Sequence, residues 1–165
     1  VQTGIAIERA IGLIRGAATD GRKTMFIGNG GSAAIASHMA IDFSKNGKMP
    51  AMAFNDASAL TCLGNDNGFE TVFAGQIDML GRRGDVLVAI SSSGESPNIL
   101  NGVKAAAARG IAVVTVSGFA PGNRLRGLGA VNFYVPSREY GFVEISSQAL
   151  LHAMLDLAMG WTGVP

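Results

Sequence analysis

Five short apolar runs, at residues 23–27, 51–54, 86–90, 112–117 and 132–135, are spaced along this chain with helix-like stretches between them. None alternates strictly between apolar and polar residues, which is how a strand reads when both of its faces are covered. Strands of that kind need helices above and below, and the repeated order strand, helix, strand gives parallel pairing through crossovers. The pattern predicts an α/β fold: a five-stranded parallel sheet with helices on both faces. Helices are expected at 1–18, 32–43, 57–63, 69–80 and 97–108, with a short one near 124–128 and a last one from 144 to 159. Asp20-Gly21 closes the first helix, Ser96-Pro97 supplies an N-cap and a first-turn proline, and Gly110 supplies a C-terminal stop.

At 165 residues the chain is expected to be a single domain over 1–165. Hydrophobic residues make up 48% of it and charged residues 15%, which excludes a disordered tail and points to surface buried between subunits. A net charge of +1, with no run of Lys or Arg, argues against a nucleic-acid surface. No apolar run approaches the roughly 20 residues that span a bilayer, and no signal-peptide pattern opens the chain, so the expectation is no membrane and a cytoplasmic location. The single cysteine, Cys62, has no intrachain disulfide partner and lies in an apolar stretch. It reads as a core residue in a reducing compartment.

The first run leads into Gly28-Asn29-Gly30-Gly31-Ser32 and then an Ala-rich helix. A glycine turn opening a helix after a strand leaves backbone N–H groups pointing outward, an arrangement that binds anions. Ala33 stands where the dinucleotide fingerprint has its third glycine, and no Gly-Lys-Ser/Thr ending follows, so neither that fingerprint nor a Walker A loop is present. On the same helix His38 and Asp42 are four residues apart and share a face.

The third run leads into Ser91-Ser92-Ser93-Gly94-Glu95-Ser96-Pro97, which sets four hydroxyls at the mouth of another helix. These serines either only cap that helix or form a second oxyanion cradle. A position at the carboxyl end of a central strand, together with the first loop, favours phosphate. Glu144 and His152 are eight residues apart on the last helix, about 12 Å of rise. That spacing alone favours a helix-dipole role for Glu144 and a packed His152. They share an ion with His38 and Asp42 only if Glu144 begins the helix and reaches forward while His152 leans back. Two imidazoles and two carboxylates would suit a divalent ion such as Zn²⁺. Gly64-Asn65-Asp66-Asn67-Gly68 reads by default as a turn, with a buried Asp66 facing sugar hydroxyls as the functional alternative.

These motifs, together with Phe69, Gly84-Asp85-Val86-Leu87 and Asn98, resemble in family order the phosphoheptose isomerases. Those are a branch of the sugar isomerase (SIS) superfamily that converts sedoheptulose 7-phosphate to an aldoheptose 7-phosphate, and the resemblance covers almost the whole chain. It implies a three-layer, flavodoxin-like SIS domain whose longer N-terminal helical region is mostly missing from this sequence. It also implies phosphate contacts from Ser32, Ser91, Ser92 and Ser96, with Ser93 in the same loop, Asn29 and Gly30 nearby and Asp66 near the sugar. The family's metal ligands fall on His38, Asp42, Glu144 and His152. Asp42 stands where the family has Glu, Glu144 where it has Gln, Glu95 where Asn is usual, and Asn46 where an Arg is frequent.

Aldose–ketose isomerisation through an enediolate needs a base, an acid and positive charge over two oxygens. On these residues the first hypothesis assigns proton transfer to Asp42 and His152, and enediolate stabilisation to a divalent metal, Zn²⁺ by preference, held with His38 and Glu144. The resemblance further implies a sugar phosphate substrate and a homotetramer with active sites between subunits, its first and last helices supplying the interfaces. The alternatives are a non-catalytic SIS module that binds phosphosugars or recruits proteins, and an isomerase of another sugar phosphate.

Overall fold

The computed structural model describes residues 2–161. Helix α1 (Gln2–Thr19) precedes β1 (Thr24–Ile27), α2 (Gly31–Lys45) and β2 (Ala51–Ala53). Then come α3 (Ala57–Asn67), a 3-10 turn at Phe69–Thr71, α4 (Val72–Leu80) and β3 (Val86–Ser91). The chain continues through α5 (Pro97–Ala108), β4 (Ala112–Ser117), a second 3-10 turn at Leu125–Gly127, β5 (Val131–Tyr134) and α6 (Tyr140–Ala158). The five strands pair only in parallel, in the order β2-β1-β3-β4-β5.

The strands are largely apolar because each face packs its own helical layer. Phe26, Val88, Ile90, Val114 and Val116 join Ile14, Ala36, Met39, Phe43, Leu151 and Met154 in the layer built by α1, α2 and α6. Their neighbours Met25, Ile27, Leu87, Ala89 and Val113 face Phe73, Ile77, Ile99 and Val103 of α4 and α5. The period of two is present, but both sets are hydrophobic, so the sequence shows none.

The sheet order places the site. From β1 the chain runs outward to β2, and from β3 it runs the other way, so β1 and β3 are the neighbours between which the winding reverses. In open α/β sheets the crevice at the carboxyl ends of such a pair is where ligands bind. The two loops leading out of β1 and β3 are residues 28–32 and 91–96, the two stretches singled out in the sequence.

Several expectations shift. The first helix was expected from Val1, which lies outside the described residues. The stretch expected to be one helix over 69–80 opens as a 3-10 turn before α4. Residues 64–67 are the last turn of α3 rather than a loop, and the reversal is confined to Gly68 at φ 89°. The helix holds because Asp56 caps its start, accepting from the Ala59 N–H at 2.9 Å. Cys62 is exposed, which corrects the core assignment: α3 contributes no buried residue and turns only Leu60 and Leu63 toward the core. The last helix begins at Tyr140, four residues before the expected start, so Glu144 lies in its second turn. No helix among the described residues is long and apolar enough to cross a membrane.

Candidate active site

Glycines shape the first loop. A side chain at Gly28 would meet the Ser32 backbone, Gly30 sits at φ 53°, and a Cβ on Gly31 would collide with the carboxylate of Glu144 from α6. The first N–H groups of α2 have no intrahelical acceptor and open toward the crevice. In the second loop the Gly94 N–H donates to the Ser91 carbonyl at 3.1 Å and to Ser91 Oγ at 3.2 Å, and Gly94 takes φ 65°. Between the two loops lies a cavity of about 230 Å³, lined by Asn29, Gly30, Gly31, Ser32, Ser91, Ser92, Ser93, Ser96, Tyr140 and Glu144.

Two side-chain devices hold the loops. Asn29 and Asn98 exchange amide hydrogen bonds in both directions at 2.9 Å, which ties the first loop to the buried start of α5. Glu95 accepts from the Arg124 backbone N–H at 2.8 Å and from its Nε at 2.5 Å, fastening the second loop to the segment after β4. Those hydrogen bonds, the backbone one foremost, hold the Glu95 carboxyl below its ordinary pKa. Beside them Asn123, buried, donates through Nδ2 to Ser117 Oγ and to the carbonyls of Gly118 and Ala120.

The metal-type residues converge on α2 and α6, the two helices whose N-terminal ends help to line this cavity. Helix α2 presents His38 and Asp42 on one face, with His38 Nε2 3.3 Å from Asp42 Oδ2. Packing of α6 on α2 brings His152 Nδ1 to 3.9 Å from the same oxygen, with the two imidazole rings 5.2 Å apart in an edge arrangement. His38, Asp42 and His152 can each aim one ligand atom so that all lie within 4.8 Å of one another. Two imidazole nitrogens and one carboxylate oxygen so placed could hold a borderline divalent ion.

Two expected site residues stand elsewhere. Glu144 lines the serine-lined cavity against Gly31 and is not part of the three-residue group, because its place in the second turn of α6 leaves about two turns of helix between it and His152. Asp66 is exposed at the end of α3, accepts from Asn65 Nδ2 at 2.8 Å and does not reach the cavity. Tyr140 also lines the cavity, and no motif in the sequence marks it. With the last helix expected to start at residue 144, Tyr140 fell in a loop; only a helix extended by one turn puts it on the face of Glu144.

The profile of the SIS domain family matches residues 2–118, from α1 through the end of β4. The chain belongs to the SIS domain family. Within it the chain falls among the phosphoheptose isomerases: it is 37% identical over 158 residues to that of Rhodospirillum rubrum, a match covering 92% of this chain and 84% of that one. It is 47% identical over 120 residues to that of Nitratidesulfovibrio vulgaris, where the match covers 69% of this chain and 55% of the relative's length. The structure of the phosphoheptose isomerase from Neisseria gonorrhoeae superposes with a TM-score of 0.87 at 36% identity, over 94% of this chain and 86% of that one. The corresponding Francisella tularensis structure gives 0.84 at 28% identity, over 93% and 84%. The longer matches extend past the family profile, into the part of the chain that carries Glu144 and His152.

Proposed function

We propose that this chain is an aldose–ketose isomerase acting on a sugar phosphate, with conversion of sedoheptulose 7-phosphate to D-glycero-D-manno-heptose 7-phosphate as the preferred reaction. The observation that carries this reading is the combination of a serine-lined cavity suited to phosphate, which the starts of α2 and α6 help to line, with a carboxylate shared by two imidazoles farther along the same two helices. The names of the relatives supply the heptose substrate.

Ser32, Ser91, Ser92, Ser93 and Ser96, with the first N–H groups of α2, grip the phosphate through short neutral donors. That grip fixes the far end of the substrate and converts binding into orientation. Asn29 and Gly30 complete the near wall.

At the other end Asp42 removes the proton from C1 while His152 delivers one to the C2 carbonyl oxygen, giving the enediol. A proton returned to C2 and one taken from the C1 hydroxyl complete the aldose, with no net change in atoms or electrons. Asp42 Oδ2 faces the imidazoles, whereas Oδ1 lies 3.4 Å from Asn46 Nδ2, so the two carboxylate oxygens have different surroundings. The donor chemistry of His38, Asp42 and His152 fits a divalent ion, Zn²⁺ by preference, which when bound supplies positive charge beside the reacting oxygens. Glu144 borders the phosphate side of the same crevice, where it contacts substrate.

Incubation of the protein with a panel of ketose phosphates in D₂O, followed by proton NMR, tests the reading. Aldose formation with deuterium incorporated at C2 from sedoheptulose 7-phosphate is expected. Turnover of a different ketose phosphate alone would replace the heptose assignment, and no turnover of any would overturn the isomerase.

A further inference from the structure

Tyr140 opens α6 at the mouth of the serine-lined cavity, one turn before Glu144 and on the side of it away from His152. That placement puts it beside the end of the cavity assigned to phosphate rather than beside the reacting carbons. Its ring is held edge-on against Phe119, with centroids 4.9 Å apart and planes at 76°. Phe119 is in turn fixed in an uncommon conformation for a residue with a Cβ, at φ 56°. Two hydrogen bonds keep it there: its N–H donates to the Ser137 carbonyl at 2.8 Å, and its carbonyl accepts from the Tyr134 hydroxyl at 2.9 Å. A backbone held in so sparse a region beside a ligand cavity is characteristic of positions where structure is arranged for a site. Here the arrangement presents the Tyr140 ring. Among the described residues the Tyr134 hydroxyl is engaged in this way, whereas Tyr140 is 63% exposed and its hydroxyl makes no hydrogen bond to another protein group, so it is open to a ligand.

The cavity itself has an electrostatic peculiarity. No Lys or Arg lines it, and the Glu144 carboxylate does. A phosphate entering it needs every O–H and N–H donor available, and one more hydroxyl outside the serine loop has a large effect in such a place.

We propose that Tyr140 is a phosphate-binding residue of this site, its hydroxyl donating to a phosphate oxygen from the side opposite the serine loop, with Phe119 positioning the ring. The proposal rests on the phosphate pocket assigned above. It does not depend on the isomerase chemistry at His38, Asp42 and His152.

The test is titration of the whole protein with inorganic phosphate, read by calorimetry or ³¹P NMR, for the unaltered chain, Tyr140→Phe and Phe119→Ala. Loss of one hydrogen bond to a charged oxygen is expected to weaken phosphate binding by about tenfold or more in Y140F. F119A, which keeps the hydroxyl but frees the ring, should weaken it by a smaller factor. With a sugar phosphate that the protein turns over, the Y140F change should appear in KM, with kcat altered by less than about twofold. Phosphate affinity in Y140F equal to that of the unaltered chain would overturn the proposal, as would an absence of phosphate binding in the unaltered chain. Thermal melts confirm that each variant is folded. If no ketose phosphate is turned over but Y140F still loses phosphate affinity, the isomerase reading falls and this one stands.

Discussion

Asp42 is the side chain on which the proposed chemistry converges, since a single oxygen of it stands 3.3 Å from one imidazole and 3.9 Å from another. Replacing it by Asn keeps the shape and removes the charge and the basicity, so Asp42→Asn is expected to lower turnover of a ketose phosphate by about a hundredfold or more. His152→Ala should do the same, and metal analysis of the purified variants should show less divalent ion than the unaltered chain. At the opposite end of the sheet, buried Asp85 shows what a structural carboxylate looks like. It accepts from Lys23 Nζ at 2.6 Å and from the backbone N–H groups of Lys23 and Arg82 at 3.0 and 2.8 Å. Burial pushes its pKa up, but these hydrogen bonds and the Lys23 charge together outweigh that and leave it lowered. A lowered folded pKa means that the carboxylate contributes stability above the ordinary Asp value near 3.9, and that this contribution is lost as pH falls through that value toward the folded one. Asp85→Ala is therefore expected to cost about 2–3 kcal/mol in neutral denaturant unfolding, and Asp85→Asn to flatten the fall of stability below about pH 4.

At the scale of elements the site is two strand-to-helix loops braced from behind. Gly94 shows how tightly: it takes φ 65°, and a Cβ there would meet the Asn123 side chain. Gly94→Ala therefore combines backbone strain with a collision against a buried, fully bonded amide and is expected to cost about 1–3 kcal/mol. It should also raise KM for a sugar phosphate, because Ser91 and the serines after it lose their fixed spacing. Equilibrium unfolding and steady-state kinetics on the same variant check both. These braces were hard to see in the sequence. The serine loop and the Asn98 after it were legible, but the partner of Glu95 is Arg124 and the partner of Asn98 is Asn29, each far away along the chain.

For the whole molecule, apolar side chains are left on the surface of the two helices that carry the histidine group. Ile41 on α2 and Phe142 and Ile145 on α6 are 57%, 68% and 73% exposed. A monomer has little reason to present three large apolar side chains on adjoining helices. The proposed homotetramer, with active sites between subunits, would cover them. Light scattering at micromolar concentration is expected to give a mass above that of one chain, with Ile145→Asp lowering it. Asp66, exposed at the end of α3, would then reach a site only if that site were a neighbouring subunit's.

The sequence by itself determined the parallel five-stranded sheet, because short, largely apolar strands separated by helices have few other ways to bury both faces. It also determined the two anion-type loops and the pairing of His38 with Asp42, since a glycine turn and an i, i+4 spacing are local facts of backbone geometry. Only the tertiary structure decided that β1 and β3 are neighbours, which brings the loops together. The packing of α6 on α2 then decided that His152 meets Asp42 while Glu144 turns to Gly31. Helix rise and rotation set how far apart two residues of α6 stand, but which of them faces a given partner depends on how another helix lies against it. The place of Tyr140 turned on one more turn at the start of α6, and helix boundaries are where local sequence signals are weakest.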